Sequence, residues 1–303
     1  MRPRMFVRAR TCKLTDLNFY ERNFTTMDLN QAILYAQLVN AAYDVDPANL
    51  ANSAGKIIPA GTAAATYEVV TTIYGNDLAT DMHPEHGNNR VSIGLVTQAT
   101  AGGEVVVAIR GTEGIQEWIH DAQFLPVNCP FMPAAGNTED GFTAIYLSMK
   151  TGADAGSPSV AKALSTLPFK RPVSSVTICG HSLGGALATL LALDVAVNTP
   201  FFPAVFTYAS PRTGDSQFVA VYNHAVPNTT RIANRVDLVP KLPLPPLYEH
   251  VLGLYDLSSV TLTPPAFLIK PDIAAQHILT SYLYLLSRLT GGPILPLNPG
   301  CAP

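Results

Sequence analysis

The sequence predicts an α/β fold: a mostly parallel central sheet flanked by helices. Three observations carry this reading. Short continuous apolar runs recur at 104–110, 172–179 and 204–209, with a further candidate at 230–234. Runs of this length without polar alternation suit strands buried on both faces. Helix-length segments lie between them, at 141–150, 183–198 and 217–224, and strands alternating with helices imply parallel crossovers. Finally, 183–198 is apolar nearly all round, as expected of a helix inside a core.

The remaining elements follow in chain order. Residues 27–43 read as a helix, with Asp28 as N-cap and Ile33, Leu34, Ala36, Leu38 and Ala41 as its apolar stripe. Segments 66–73 and 91–97 are rich in strand formers. A segment at 248–252 reads as a strand or its start, and 278–286 as an apolar helix. No repeat, linker or composition shift divides the chain, so one domain over 1–303 is expected, with 1–27 as an N-terminal extension.

Composition bounds the function. Charged residues make up 14%, against about 25% in typical domains, which argues against disorder and coiled coil. The net charge is −3, from 19 basic and 22 acidic residues, and argues against nucleic-acid binding. No apolar run reaches the roughly 18 residues of a spanning helix. Arg2, Arg4, Arg8, Arg10 and Lys13 make the start basic, but no uninterrupted apolar region follows, so it does not read as a secretory signal. The 4 cysteines, Cys12, Cys129, Cys179 and Cys301, are too few for a disulfide scaffold at this length. Cys179 reads as a buried thiol, while Cys12 and Cys301 could tie the ends together. Asn23 and Asn228 begin glycosylation-type triplets. His83-Pro84-Glu85-His86 gathers possible metal ligands but fits no standard zinc spacing. No metal is expected, and no Walker or dinucleotide-binding glycine pattern calls for a cofactor.

Chemistry concentrates at Gly180-His181-Ser182-Leu183-Gly184, which follows an apolar strand and opens the apolar helix. Two glycines flanking a serine are weak alone. Between strand and helix they permit a sharp turn that exposes the Ser182 hydroxyl at the carboxyl edge of the sheet. The first helical N–H groups point there too and favour developing negative charge. A serine nucleophile needs a base, and the base an orienting acid.

In α/β-hydrolases the acid and then the histidine follow the serine. Only His224, His250 and His277 lie beyond Ser182, with Asp194, Asp215, Asp237, Glu249, Asp256 and Asp272 as the acids. Asp194 falls inside the serine helix, and Asp215 suits an N-cap. Asp237 follows a late strand on a loop, where the acid belongs. His224 precedes it and drops out. His250 reads as a structural histidine. His277, in front of an apolar helix, is the preferred base.

With these residues in place, the chain resembles the class 3 triacylglycerol lipases, the filamentous-fungal type that includes feruloyl esterases. The resemblance runs over 28–284 and rests on several motifs. Ile109-Arg110-Gly111-Thr112 is similar to the family's oxyanion segment, Glu117-Trp118-Ile119-His120-Asp121 to its lid and Phe124-Leu125-Pro126-Val127 to the lid exit. The serine turn, Tyr208-Ala209-Ser210-Pro211-Arg212-Thr213-Gly214-Asp215 and Asn234-Arg235-Val236-Asp237-Leu238-Val239-Pro240 follow in the family's order. The resemblance implies the α/β-hydrolase fold, Ser182 as nucleophile, Asp237 as acid, His277 as base, and Thr112 and Leu183 in the oxyanion hole. It implies a lipid ester substrate at a lipid–water interface, no cofactor, and a lean toward secretion. A monomer is expected. Glu139-Asp140-Gly141-Phe142 stands where the family usually has valine-histidine-x-glycine-phenylalanine, Leu242-Pro243-Leu244 replaces leucine-proline-proline, and the family's disulfide pattern is not reproduced.

Around 113–123 a helical lid is expected. Ile115, Trp118, Ile119 and Ala122 share one face at helical spacing, with Gln116, Glu117, His120 and Asp121 on the rest. Such a segment can cover an acyl groove or lay its apolar face on lipid. Trp118 is the sole tryptophan, so a substrate emulsion should shift its emission and its quenching by a soluble quencher. Unchanged fluorescence at saturating emulsion would rule out lid movement onto the interface.

Overall fold

The computed structural model describes residues 27–44, 67–76, 90–112, 123–261 and 267–303. The lid positions Ile115, Trp118 and Ile119, the basic start, Cys12, the Asn23 triplet and His83-Pro84-Glu85-His86 lie outside the described residues.

The central sheet has 7 strands. They are β1 (Tyr67–Asn76), β2 (Arg90–Ala99), β3 (Glu104–Ile109), β6 (Ser175–His181), β7 (Ala204–Tyr208), β8 (Thr229–Asn234) and β9 (Leu254–Leu257), in the order β1-β2-β3-β6-β7-β8-β9. The first three pair antiparallel, and from β3 to β9 every pairing is parallel. A small hairpin, β4 (Pro126–Asn128) with β5 (Asn137–Glu139), stands apart from this sheet.

The strands form where they do because both faces are covered. Val105 through Ile109 in β3 are buried without alternation. One face packs on α2 (Asp140–Ser148), α4 (Leu183–Asn198) and α5 (Ser216–Ala225), with α3 (Val160–Ala163) beside α4. The other packs on α1 (Leu29–Asp44) and α7 (Leu279–Leu289), the latter preceded by the short α6 (Ile273–His277). Asp28 caps α1, its Oδ1 accepting from the N–H groups of Asn30 at 2.9 Å and Gln31 at 3.2 Å. Asp215 caps α5 by accepting from Phe218 N at 2.8 Å. From Leu183 to Leu193 helix α4 is buried on all sides between β3, β6, β7 and the helices α2, α3 and α5. Each fully buried leucine there contributes about 1.5–3 kcal/mol.

One expectation is corrected. The last strand is Leu254–Leu257, not the segment at 248–252. Tyr248 is instead held in a loop by its hydroxyl, which donates to Phe124 O at 2.8 Å. A positive φ at Gly253, +94°, lets the chain turn into β9 against the Thr229 carbonyl. Strand β3 ends at Ile109, and Thr112 lies on the loop beyond it, half-buried.

The parallel strands all end at one edge, and the serine turn follows β6 there. A Cβ on Gly184 would overlap the Ile109 carbonyl oxygen and sit 2.5 Å from that of Arg110. Helix α4 therefore touches the end of β3 backbone to backbone. Gly184→Ala should lower stability by about 1–3 kcal/mol, the usual effect of overpacking, with a visible drop in Tm. An unchanged Tm would show that α4 can withdraw from β3 at no cost.

Candidate active site

Ser182 sits between β6 and α4 with φ +58° and ψ −128°, a conformation non-glycine residues rarely adopt. Its N–H donates to Tyr208 O on β7 at 2.9 Å. A Cβ on Gly180 would collide with the Gly184 carbonyl, so the turn closes only with glycine at that place. The side chain is thereby presented at the sheet edge, 1% exposed.

The structure brings Ser182, His277 and Asp237 into one hydrogen-bonded row. His277 Nε2 lies 2.8 Å from Ser182 Oγ, and its Nδ1 lies 2.9 Å from Asp237 Oδ2. A carboxylate only accepts, so Nδ1 carries the proton and Nε2 is left to accept from the serine hydroxyl. All three side chains are buried.

Asp237 lies on the loop after β8. Its Oδ1 accepts from Val239 N at 3.0 Å, and its Oδ2 also accepts from the Tyr282 hydroxyl at 2.8 Å. Tyr282, on α7, accepts in turn from Asn234 N at 2.9 Å. Burial, and then the Asp237 carboxylate, hold the Tyr282 phenol well above its ordinary value, so it remains a donor. Gln276 fixes the neighbour of the histidine: its amide nitrogen donates to Ile269 O and Lys270 O, and its oxygen accepts from Asn234 Nδ2 at 2.8 Å and Ser259 Oγ at 2.6 Å. Asp272 caps α6 by accepting from Ala275 N at 2.7 Å.

Leu183 is the first residue of α4, where an N–H has no acceptor within the helix. Gly111, just before Thr112, packs so tightly on the turn that a Cβ would sit 2.9 Å from Ser182 Cβ. Thr112 and Leu183 thus belong to the two segments that flank the serine.

The other sequence candidates are placed elsewhere. Asp194 accepts from the Tyr146 hydroxyl and from Asn198 Nδ2. His250 Nε2 donates to Pro240 O at 2.6 Å. Burial and the nearby Arg231 and Arg212 push the His250 imidazole down to about 3. Arg231 itself, buried with Arg212 beside it, is lowered to about 10. Among the described residues no group of 3 or more His, Cys, Asp or Glu could hold a metal ion. Sequence reasoning missed Tyr282, Gln276 and Tyr43, none of which lies in a motif. His181 was visible only as the variable position of the serine turn.

A mostly parallel sheet, a serine on a strand–helix turn, and a histidine and acid delivered by later loops define the α/β-hydrolase fold. A two-residue deletion mutant of Rhizomucor miehei lipase in its propeptide complex superposes with TM-score 0.62 over 93% of this chain and 83% of that one, at 20% identity. The family model described as Lipase (class 3) matches residues 106–246, from β3 through the acid loop. Phospholipase A1-II 3 of Oryza sativa subsp. indica is 31% identical over 212 residues, covering 62% of this chain and 50% of that protein. Secreted mono- and diacylglycerol lipase A of Penicillium cyclopium is 35% identical over 156 residues, covering 51% and 48%. The chain spans about half the length of these curated relatives.

His250 yields a stability prediction. Its folded value of about 3 lies below the roughly 6.5 of an unfolded histidine. Between those values the unfolded chain binds the extra proton, so this group's contribution to stability falls as pH drops from 6.5 toward 3. The stability difference between the natural protein and His250→Gln, read by urea unfolding, should therefore shrink across that window. A constant difference would mean His250 is not held neutral.

Proposed function

We propose that this protein is a serine hydrolase that cleaves carboxylic ester bonds of lipids through an acyl-enzyme, with triacylglycerols as substrate. The observation that carries this reading is the Ser182–His277–Asp237 row, with spacings of 2.8 and 2.9 Å.

In this mechanism His277 Nε2 takes the Ser182 proton as Oγ attacks the ester carbonyl carbon. Asp237 stabilises the imidazolium, with Tyr282 and the Val239 N–H sharing its negative charge. The N–H groups of Thr112 and Leu183 hold the oxyanion. His277 then gives its proton to the leaving alcohol. Water enters, is deprotonated by His277, attacks the acyl carbon and releases the acid, returning the proton to Ser182.

Several features support a lipid as the ester. The relatives named above are lipases and a phospholipase A1. Leu238 and Ile278, each one residue beyond a member of the row, are 41% and 36% exposed, and Leu244 and Leu247 on the acid loop are 67% and 50% exposed. An apolar cleft of about 260 Å³ lies beside that loop, lined mainly by Val236, Leu238, Phe267 and Ile273. Ser182 is buried, so substrate entry needs an opening step, and the amphipathic stripe Ile115, Trp118 and Ile119 is the segment proposed to move. Secretion fits the fungal relative's printed name. A short-chain or feruloyl esterase is the second reading, favoured by the same row of residues.

Initial rates should be taken on a triglyceride from below to well above its solubility limit, with a short-chain ester and a phospholipid in parallel. A steep rise at the emulsion point is expected, whereas a hyperbolic curve with preference for the soluble ester would replace the lipase reading with the esterase one. Ser182→Ala should lower kcat by roughly a million-fold, as in other serine hydrolases. Asp237→Asn and His277→Ala should each lower it by at least about a thousand-fold on the same grounds. More than a tenth of the activity remaining in Ser182→Ala would sink the mechanism.

A further inference from the structure

A second row of hydrogen bonds runs behind the serine. Gly111 N–H donates to the Tyr43 hydroxyl at 2.8 Å, and Tyr43 lies 2.8 Å from His181 Nδ1. His181 Nε2 lies 2.8 Å from the backbone carbonyl oxygen of His277. The proton positions along this row are fixed by chemistry. A carbonyl only accepts, so His181 Nε2 carries a proton and donates it. Tyr43 accepts from Gly111 N–H, which leaves its own proton for His181 Nδ1. Every bond therefore points the same way, from the Gly111–Thr112 segment to the histidine loop.

That direction requires a neutral His181. A second ring proton would face the Tyr43 proton. Burial, and then the neighbouring His277, hold His181 well below its ordinary value, in agreement with the geometry. The two imidazole rings are 4.9 Å apart between centroids. A neutral His181 leaves room for one cation only, on His277.

We propose that Tyr43 and His181 are positioning residues for the hydrolytic reaction. They fix the Gly111–Thr112 backbone and the His277 backbone relative to Ser182, so that oxyanion donor and base are pre-set before substrate arrives. The inference rests on the serine-hydrolase reading above. Four places far apart in sequence meet here: the segment after β3, the end of α1, the turn of β6 into α4, and the end of α6. The packing leaves no slack, since a Cβ on Gly111 would sit 2.7 Å from the Tyr43 hydroxyl and 3.0 Å from the His181 carbonyl oxygen. Without the Tyr43 hydroxyl, Gly111 N–H and His181 Nδ1 both lose this partner, and the segment that carries Thr112 is released from the serine turn. Because ground-state binding does not depend on the oxyanion donors, the effect falls on the transition state.

Tyr43→Phe and His181→Gln should be compared with the natural protein and with Ser182→Ala. For the proteins that keep Ser182, rates are normalised to the fraction of sites that react with a fluorophosphonate; Ser182→Ala is compared per mole of protein. Gln at 181 can still donate to the His277 carbonyl but offers Tyr43 no ring nitrogen. Tyr43→Phe should lower kcat about ten-fold with KM changed less than two-fold, and weaken an alkyl boronic acid, which mimics the tetrahedral intermediate, by a similar factor. The double variant should lose little more than the worse single one, because both act on one row. Were Tyr43→Phe not to fold, His181→Gln carries the same test with the same readouts. A kcat within two-fold of the natural protein overturns the proposal, as does a loss that appears in KM, or only in stability, with boronate affinity unchanged. If Ser182→Ala keeps its activity, the hydrolase reading fails. If Ser182→Ala is inactive and Tyr43→Phe is not impaired, only the present inference fails.

Discussion

Between β6 and α4 the chain reverses at Ser182, with φ +58° and ψ −128°. Backbone of this kind costs on the order of 1–3 kcal/mol and persists only where its surroundings over-determine it. Here they do. The Ser182 N–H is tied to Tyr208 on the neighbouring strand, its carbonyl accepts from Gly185 N at 2.8 Å, and the first three turns of α4 are buried on every side. The helix cannot shift to relieve the turn without opening the core. Position of the serine, start of the helix and contact of α4 with β3 are thus one constraint. The glycines on either side serve it in different ways, Gly180 by letting the turn close on Gly184, and Gly184 by letting the helix approach β3.

The acid and the base are held by a separate, longer-range device. Asp237 accepts three hydrogen bonds, from His277, Tyr282 and Val239. A buried carboxylate with one partner would be costly, and three donors offset that cost. Tyr282 links it to the β8 backbone, while Gln276 joins Asn234, Ser259 and the 269–270 backbone. His277 therefore inherits its place from its neighbour in sequence as much as from its own ring. Side chains this fully bonded do not sample many rotamers, which is what a pre-formed proton path requires.

How much of this was legible follows from how local each signal is. The buried strands and α4 were readable because burial on all sides removes polar alternation, a property of consecutive residues. The serine turn was readable for the same reason: its glycines sit within two residues. The caps Asp28 and Asp215 also act within three residues. Strand β9 lies beyond 248–252 because that segment, although it reads as a strand or its start, is drawn into a loop where Tyr248 bonds to Phe124, 124 residues away. Tyr43 and His181 are 138 apart, and Tyr282 and Asp237 are 45 apart. No spacing rule reaches such pairs, so the residues that steady the site were silent while those in its motifs were not.

The departure at Glu139 shows how a family position can change its residue and remain useful. Glu139 closes β5 and begins α2, and its carboxylate accepts from Phe142 N at 2.7 Å as an N-cap. Its own N–H donates to Thr213 O at 3.0 Å, which ties the β4–β5 hairpin to the loop after β7. Burial raises its carboxyl above the usual range, yet the cap favours the charged form, and a carboxylate at a helix start is further favoured by the helix dipole. A histidine there would lack that charge at neutral pH but could still offer a ring nitrogen to the same N–H. What this position demands is an acceptor at the front of α2, and either residue supplies one. Glutamate therefore changes the charge near the hairpin, while the bond to the loop after β7 is made by the backbone N–H and does not depend on the side chain.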